Sequence, residues 1–340
     1  MSEMRKDPIT NRWVIIRTER GAGPSITKPS REEPEPALCP FCEGNEHMTP
    51  AEIFALRNLG TSPNGKGWQV RVVANRFPVL GIEGDLGKEG HGLFDKMNGI
   101  GAHEMIIESP AHGDGLNTHG RDVLTRILEV YRLRMLDLIR DLRFHYILVF
   151  RNEGHEAGGH LRHPHSQIVA TPVTPREVKS ELRGAQDYFR YKDRCIFCDM
   201  IRAEKEDGRR VVWENRDYIS FCPFASRSPF EMWILPKEHS ADFHRLTSER
   251  LVGMAEVLDQ SMKRLARALD RPQYNMVLHS GPNRRERRDY WQTIDHDFHW
   301  HMEIIPRFTP YSGFEWGTGF FINPTPPEES AAFLREMKIS

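Results

Sequence analysis

Two stretches of the chain carry apolar residues at alternating three- and four-residue intervals, which is the spacing of one face of an α-helix. Polar and charged residues occupy most positions between them, so each predicted helix presents a single apolar side to a core. The apolar positions are Leu124, Ile127, Leu128, Tyr131, Met135, Leu138, Ile139 and Leu142 in the first stretch, and Leu251, Met254, Leu258, Met262, Leu265 and Leu269 in the second.

A short apolar strand precedes each of these helices, and another strand follows. Each preceding strand opens with Glu-Met, ends near a proline and is followed by a histidine, at residues 104–112 and again at residues 231–239. The strands that follow the helices are predicted at residues 146–150 and 275–278. The order strand, histidine, helix, strand therefore occurs twice.

The last strand of each series contains His-x-His, in HPHSQIV at residues 163–169 and in HWHMEII at residues 299–305. Because these features recur in the same order, the chain is predicted to contain two copies of one unit. We expect an α+β fold of two tandem units, each an antiparallel sheet with one long helix, related by a pseudo-twofold axis. The predicted units are residues 1–180 and 181–340, joined by a polar helical segment without a clear apolar stripe.

Composition supports a globular protein and excludes two classes of partner. The 340 residues are 39% hydrophobic and carry a net charge of −1. Non-specific binding to nucleic acid requires an excess of basic side chains, so a nucleic-acid partner is not expected. No apolar run is long enough to span a membrane, and the first residues lack the apolar stretch of a signal peptide. We therefore predict a cytoplasmic protein.

Four of the five cysteines form two pairs with identical spacing, Cys39-x-x-Cys42 and Cys195-x-x-Cys198, while Cys222 stands alone. Such pairs in a chain without a secretion signal indicate half of a zinc site or a redox motif. The two halves of one zinc ribbon usually lie about 15–20 residues apart. Residues 43 to 194 separate these pairs, so each pair is expected to have its own histidine ligands.

Each copy contains the histidines that a tetrahedral zinc site needs in addition to its cysteine pair. Four protein ligands leave no position for a catalytic water, so both ions are predicted to be structural zinc, with iron as the alternative at the second site. The predicted ligands are Cys39, Cys42, His112 and His163 for the first ion, and Cys195, Cys198, His239 and His299 for the second.

Residues two apart on a strand share a face, which places His165 and Gln167 beside the predicted ligand His163. A neutral imidazole can attack phosphorus and carry a nucleotidyl group covalently. Gln167 can donate a hydrogen bond to a phosphoryl oxygen without adding charge. Gly158 and Gly159, just upstream, allow backbone N–H groups to approach phosphates.

The second copy lacks these features, since Glu303 replaces the glutamine and no glycine-rich loop precedes His301. We interpret it as a degenerate copy without catalytic activity. A protein of another class, a zinc-stabilised nucleotide-binding module without catalysis, is the alternative. The asymmetry between the two copies argues against that alternative, because pure binding does not require a single unligated histidine on the metal-bearing strand.

The motifs CPFC, SPAH and HPHSQ, in a two-repeat chain of this length, resemble those of the galactose-1-phosphate uridylyltransferases of the histidine-triad superfamily. The segments DPITNRWV at residues 7–14, VANRFP at residues 73–78 and FRNEG at residues 150–154 match as well. The resemblance covers nearly the whole chain.

The resemblance implies a ping-pong reaction, in which UDP-glucose uridylylates the enzyme and galactose 1-phosphate then accepts the uridylyl group. His165 would be the nucleophile, and Gln167 would contact the transferred phosphoryl group. The family also implies a homodimer, with part of the hexose site supplied by the neighbouring subunit. The other implied contacts are Asn75 and Phe77 to the nucleoside, Asn152 and Arg20 to phosphates, and Phe314 and Glu315 to the hexose.

Some positions depart from the uridylyltransferase pattern. Gly23 stands where a second phosphate-binding arginine is usual, and Ser166 stands where the best-known members have glycine. These departures fall where the phosphates and the acceptor are expected. The second cysteine pair and residues 314–324 look more like those of the ADP-glucose phosphorylases, which pass AMP to phosphate. Uridylyl transfer is therefore the first expectation and ADP-glucose phosphorolysis the alternative.

Overall fold

The computed structural model describes residues 2–17, 38–113, 115–284, 291–308 and 310–339, and these residues contain fifteen β-strands and seven α-helices. The strands are β1 (Ser2–Lys6), β2 (Trp13–Arg17), β3 (Glu52–Arg57), β4 (Trp68–Ala74), β5 (Glu89–His91), β6 (Phe94–Lys96), β7 (Ala102–Ile107), β8 (Tyr146–Glu153), β9 (His165–Thr171), β10 (Val211–Glu214), β11 (Tyr218–Phe221), β12 (Met232–Pro236), β13 (Tyr274–His279), β14 (His301–Pro306) and β15 (Phe321–Asn323). The helices are α1 (Gly120–Leu138), α2 (Arg176–Lys192), α3 (Ile196–Asp207), α4 (Ser248–Leu269), α5 (Ile294–Asp297), α6 (Gly313–Thr318) and α7 (Pro327–Glu336).

Ten strands form one antiparallel sheet in the order β10-β11-β12-β14-β13-β8-β9-β7-β4-β3. Read from its outer edge to the centre of the sheet, the first half has the order β3-β4-β7-β9-β8 and the second half has the order β10-β11-β12-β14-β13. Corresponding strands of the two copies therefore occupy corresponding places. The halves meet where β8 pairs with β13, and Asn152 lies opposite Asn275. The predicted α+β fold with a repeated antiparallel unit is confirmed, and the two half-sheets are continuous.

Helices α1 and α4 lie against each other on one face of this sheet and form the largest apolar core with its strands. Their predicted apolar faces are therefore confirmed. The first helix is shorter than expected, because α1 ends at Leu138 and Leu142 is 71% exposed. The Asp141 carboxylate accepts a hydrogen bond from the N–H of Arg143 at 2.8 Å and stabilises a turn there.

The opposite face of the sheet is covered differently in the two halves. In the second half, α2 and α3 pack on it and bury Leu182, Phe197 and Trp233 in a second core. The expectation that the joining helix lacks an apolar stripe is wrong, since Val178, Leu182 and Ala185 of α2 are buried. The buried face of α2 carries only about one apolar residue per turn, and charged residues stand between these positions. The apolar pattern is therefore hard to recognise in the sequence.

A small sheet in the order β1-β2-β15 brings the beginning and the end of the chain together, with β15 parallel to β2. Strands β5 and β6 form a separate exposed hairpin. Among the described residues, no helix combines the length and the apolar character that crossing a bilayer would require.

A buried ion pair lies on the helix side of the central strands. Arg151 of β8 contacts Glu108, and Glu108 also accepts hydrogen bonds from Ser166 and from the hydroxyl of Tyr131. Burial opposes the negative charge of Glu108, but Arg151 holds its pKa below the usual range. Ser166 therefore points into the core between sheet and helix, away from the sheet face on which the phosphates and the acceptor are expected.

Removing one partner of this pair is expected to destabilise the protein. Glu108→Ala removes the buried counter-charge of the Arg151 guanidinium and leaves it only the partly exposed carboxylate of Glu153, which should lower the free energy of unfolding by about 3–5 kcal/mol. Glu89→Ala is the control, because Glu89 and its partner Lys96 are 59% and 68% exposed and such pairs contribute at most about 1 kcal/mol. Urea denaturation measures both, and equal losses would contradict the prediction.

Candidate active site and metal centres

Cys39, Cys42, His112 and His163 converge so that their ligand atoms all lie within 4.8 Å of one another. The Cys42 sulfur is 3.4 Å from Nδ1 of His112 and 3.7 Å from Nδ1 of His163. The Cys39 sulfur is 3.7 Å from the same nitrogen of His163. A tetrahedral zinc ion places sulfur and nitrogen ligands about 3.6 Å apart. The group therefore has the donor atoms and the spacing of a tetrahedral metal site.

The chain positions these ligands from three separate segments. A turn brings Cys42 back to Cys39, His112 follows the end of β7, and His163 directly precedes β9. Nε2 of His163 lies 2.7 Å from the carbonyl oxygen of Ser109. A carbonyl only accepts, so Nε2 carries the proton and Nδ1 is the ligand atom. Burial lowers the pKa of His163 to about 4, which keeps the ring neutral.

The second group repeats this arrangement with Cys195, Cys198, His239 and His299. The Cys198 sulfur is 3.5 Å from Nδ1 of His239 and 3.7 Å from Nδ1 of His299. Nε2 of His299 lies 2.9 Å from the carbonyl oxygen of Pro236. The two histidine rings meet edge to face with centroids 5.1 Å apart, compared with 5.3 Å in the first group. The structure thus assembles both predicted ligand sets.

His165 opens β9 and lies on the sheet face away from α1 and α4. Its Nδ1 is 2.7 Å from the carbonyl oxygen of His163. Since that oxygen can only accept, Nδ1 carries the proton and Nε2 keeps its lone pair. Burial lowers the pKa of His165, so the ring is neutral. The ring of Phe41 contacts it edge-on at 5.6 Å, and the imidazole is only 6% exposed. His165 has the protonation state of a nucleophile.

Gln167 and Asn75, which are distant in sequence, meet at His103. The side-chain oxygen of Gln167 lies 2.8 Å from Nε2 of His103, and Nδ2 of Asn75 lies 3.0 Å from the same nitrogen. Asn75 in turn accepts a hydrogen bond from the N–H of Phe77 at 2.9 Å, and the Phe77 ring is exposed. Sequence reasoning missed His103. This histidine lies on the same face of β7 as Met105, and Met105 pairs with Gln167 across the two strands.

The glycine loop adjoins Asn152 as expected. Gly158 has a φ of +79°, which favours glycine. A Cβ on Gly159 would lie 2.8 Å from the carbonyl oxygen of Asn152, so only glycine permits this approach. The Asn152 side-chain oxygen accepts a hydrogen bond at 2.9 Å from Nδ2 of Asn275, a residue that sequence reasoning did not identify.

Phe314 and Glu315 lie in α6, and their contacts are within their own segment. The Glu315 carboxylate accepts a hydrogen bond from the N–H of Ser312 at 2.9 Å, forming a capping box. The Phe314 ring is partly exposed and contacts Phe320 with a centroid distance of 6.4 Å. Arg20, the remaining predicted phosphate contact, lies outside the described residues.

A third group that could hold a metal consists of Glu181, His279, His301 and Glu303, all buried. His279 donates from Nδ1 to Glu181 at 2.9 Å and stacks on His301 with centroids 4.6 Å apart. Burial opposes the charge on His279, but Glu181 and Glu303 raise its pKa. Sequence reasoning did not find Glu181 or His279, which come from α2 and β13.

His301 is the counterpart of His165, and its Nδ1 lies 3.1 Å from the carbonyl oxygen of His299. Its surroundings differ, because Phe197, Trp233 and His279 all lie against the ring with centroids 4.6–5.3 Å away. The side chain is completely buried. A substrate therefore cannot reach His301 in this arrangement.

Two family models match the sequence, described as the N-terminal domain of galactose-1-phosphate uridyl transferase at residues 1–175 and its C-terminal domain at residues 181–307. The chain belongs to the galactose-1-phosphate uridylyltransferase family. Members of this family are nucleotidyl-transferring enzymes. The expected resemblance is confirmed.

Within this uridylyltransferase family, the chain is similar to proteins of both activities considered above. It is 35% identical to an ADP-glucose phosphorylase from Arabidopsis thaliana, covering 99% of this chain and 93% of that protein. It is 27% identical to a galactose-1-phosphate uridylyltransferase from Thermotoga maritima, covering 100% and 99% of the two chains.

Solved structures of the uridylyltransferase family show the same fold. A crystal structure of an ADP-glucose phosphorylase from Arabidopsis thaliana with bound ADP-glucose has a TM-score of 0.83 at 33% identity, with both chains covered completely. A uridylyltransferase structure has a TM-score of 0.74 at 27% identity, covering 98% of this chain and 97% of the other.

The two cysteine pairs are expected to hold one metal ion each. Elemental analysis of the purified protein should find about two ions per chain, and Cys42→Ser and Cys198→Ser should each lose one of them, because a structural site needs all four ligands. Cys222→Ser is the control, since Cys222 is a buried thiol outside both groups. Full metal content in Cys42→Ser would contradict the assignment of the first site.

Proposed function

We propose that this protein transfers a nucleotidyl group from a nucleoside diphosphate hexose to an acceptor phosphate through a covalent intermediate on His165. The observation that carries the proposal is the 2.7 Å contact of His165 Nδ1 with the carbonyl oxygen of His163, which leaves the Nε2 lone pair for attack. A histidine with this tautomer on a fixed strand is a suitable nucleophile for phosphorus.

In the first step, Nε2 of His165 forms a bond to the α-phosphorus of the donor. The bond from that phosphorus to the bridging oxygen breaks, and hexose 1-phosphate leaves with the electron pair. In the second step, a phosphate oxygen of the acceptor forms a bond to the same phosphorus. The nitrogen–phosphorus bond then breaks and returns the lone pair to Nε2.

The neighbouring residues fit contacts to the donor. The side-chain oxygen of Gln167 faces His103, so its amide nitrogen is the end that would donate to a phosphoryl oxygen. Asn152, Gly158 and Gly159 would bind the phosphates with Arg20. Asn75 and the exposed ring of Phe77 would contact the nucleoside.

Uridylyl transfer from UDP-glucose to galactose 1-phosphate is the activity for which the family is named. A specific observation favours a second candidate, in which ADP-glucose adenylylates His165 and phosphate accepts the adenylyl group to give ADP. The chain is 35% identical to an ADP-glucose phosphorylase over nearly its whole length, and a structure of such an enzyme holds ADP-glucose. ADP-glucose is therefore tested beside UDP-glucose.

We assign zinc to both cysteine–histidine groups. Two cysteines and two histidines are typical of structural zinc, and the matching geometry of the second group favours zinc over iron there too. In the first group, the ion would hold Cys39 and Cys42, and thereby Phe41, beside His165. Its role is to fix the strand that carries the nucleophile, and no chemical step involves it.

Residues 1–180 would form the catalytic unit and residues 181–340 the degenerate one. A homodimer would complete the hexose site, because α6 carries Phe314 and the exposed Trp316 on its surface. These residues and Glu315 would contact the hexose bound by the partner subunit. The free cysteine pairs and the proposed sugar-phosphate substrates support a cytoplasmic location.

Intact-mass spectrometry tests the covalent step. Incubation with ADP-glucose or UDP-glucose without acceptor should add one nucleotidyl group per chain, and His165→Ala should abolish the gain because it removes the attacking nitrogen. His91→Ala, at an exposed histidine of the β5–β6 hairpin, should retain it. An adduct that persists in His165→Ala would contradict the proposal. Absence of any adduct in the wild type would favour a nucleotide-binding module.

The acceptor decides between the two candidate activities. After isolation, an adenylylated enzyme should release ADP when phosphate is added, whereas a uridylylated enzyme should release UDP-galactose when galactose 1-phosphate is added. Chromatography of the released nucleotide measures each reaction. An adduct that forms with one donor at least about 100-fold faster than with the other, a difference of about 2.7 kcal/mol in activation free energy, identifies the physiological base.

A further inference from the structure

The second unit contributes a side chain to the site of the first. Asn275 of β13 donates both amide hydrogens from Nδ2, one to the side-chain oxygen of Asn152 at 2.9 Å and one to the carbonyl oxygen of Ala157 at 2.8 Å. Both acceptors belong to the segment that adjoins the proposed phosphate site. This contact follows from the β8–β13 register, which places Asn275 opposite Asn152.

The contact fixes which end of the Asn152 amide faces the loop. The Asn152 side-chain oxygen accepts from Asn275, so the Asn152 amide nitrogen points the other way. That nitrogen lies near Gly158, since a Cβ built on this glycine would be 3.9 Å from it. Asn152 therefore presents hydrogen-bond donors on the side of the glycine loop. Phosphate oxygens are acceptors only, so this is the orientation that binds them.

The loop itself is held from the same strand end. Gly154 has a φ of +82°, and its carbonyl oxygen accepts from the N–H of Gly159 at 2.9 Å. Gln273, which precedes β13, accepts from the N–H of Glu156 at 2.7 Å. Together with the Ala157 contact, residues 273 and 275 hold the loop over residues 154–159 at two points.

We infer that Asn275 is a positioning residue for nucleotidyl transfer, acting through Asn152 and the loop over residues 154–159. The inference rests on the proposed function. The second copy, whose own His301 is covered, would then support the reaction of the first copy by supplying one wall of its phosphate site. Asn275 does not itself need to touch the substrate.

Asn275→Asp tests this inference with little change in shape. A carboxylate has no hydrogens to donate, so it would repel both oxygens, turn the Asn152 amide over and shift the loop. Misplacement of binding groups by about 1 Å can cost on the order of 100-fold in rate. We expect the single-turnover rate of nucleotidyl-enzyme formation to fall by about 10- to 100-fold, while metal content stays at the wild-type value.

Asn283→Asp is a matched control. Asn283 also lies in the second unit and donates Nδ2 to two carbonyl oxygens of the first, those of Ile139 and Phe144, each at 3.0 Å. These acceptors follow α1 and are remote from the loop. Its substitution should lower thermal stability about as much as Asn275→Asp but leave the rate within about threefold of the wild type. Equal rate losses in both variants would overturn the inference.

A double-mutant cycle separates positioning from direct contact. If Asn275 acts in part through Asn152, adding Asn275→Asp to Asn152→Ala should lower the rate by a clearly smaller factor than it does in the wild type, because coupled residues are not additive. Independent, multiplicative losses would overturn the inference. Asn275→Ala removes the donor without adding charge, and its rate of nucleotidyl-enzyme formation is measured in the same way. It provides the test if the aspartate variant does not fold.

The two proposals fail in different ways. If the wild type forms no covalent adduct with either nucleotide sugar, the proposed function is wrong. If the wild type forms the adduct and folded Asn275→Asp and Asn275→Ala form it at the wild-type rate, only the positioning role of Asn275 is wrong.

Discussion

The antiparallel pairing of β8 with β13 is the contact on which the arrangement of the site depends. It joins two five-stranded sheets into one and brings Asn275 of one unit opposite Asn152 of the other. It also lets α1 and α4 meet on a shared face, so that both units contribute to one apolar core. Each half-sheet would otherwise expose the backbone groups of its inner edge, which is unfavourable for a long strand.

The same local geometry places the proposed nucleophile His165 in one unit and the fully covered His301 in the other. In both units the first histidine of His-x-His offers Nδ1 to the cysteines, while its carbonyl oxygen orients the second histidine. Around His165 the covering ring is Phe41. Around His301, α2 and α3 bring further side chains over the sheet, and His279 stacks directly on the ring. The two histidines therefore differ in the side chains that pack on their strands.

Sequence patterns predict much of this molecule because the repeated unit carries its signals locally. Each of these signals can be recognised in a short stretch of sequence: the CxxC pairs, the two His-x-His strands and the long amphipathic helices. The cysteines and histidines of these motifs contribute to both metal-ligand groups in the structure. His103, Asn275 and the pair Glu181–His279 were missed for a shared reason. Their roles depend on register between strands or on a helix packing across the sheet, and no local spacing encodes either. The buried face of α2 was missed because one apolar residue per turn is a weak signal.

Successive side chains of a β-strand point to opposite faces of the sheet. This alternation limits which residues of β9 could distinguish a uridylyl from an adenylyl group. Ser166 departs from the usual uridylyltransferase residue and lies between the proposed nucleophile His165 and Gln167 in sequence. Its side chain nevertheless bonds to Glu108 and Tyr131 on the helix side of the sheet. A substitution at that position changes packing behind the strand, on the side opposite His165 and Gln167. If His165 carries the nucleotidyl group as proposed, base and acceptor selection would depend on groups of the other face, where Asn75 and His103 lie beside Gln167.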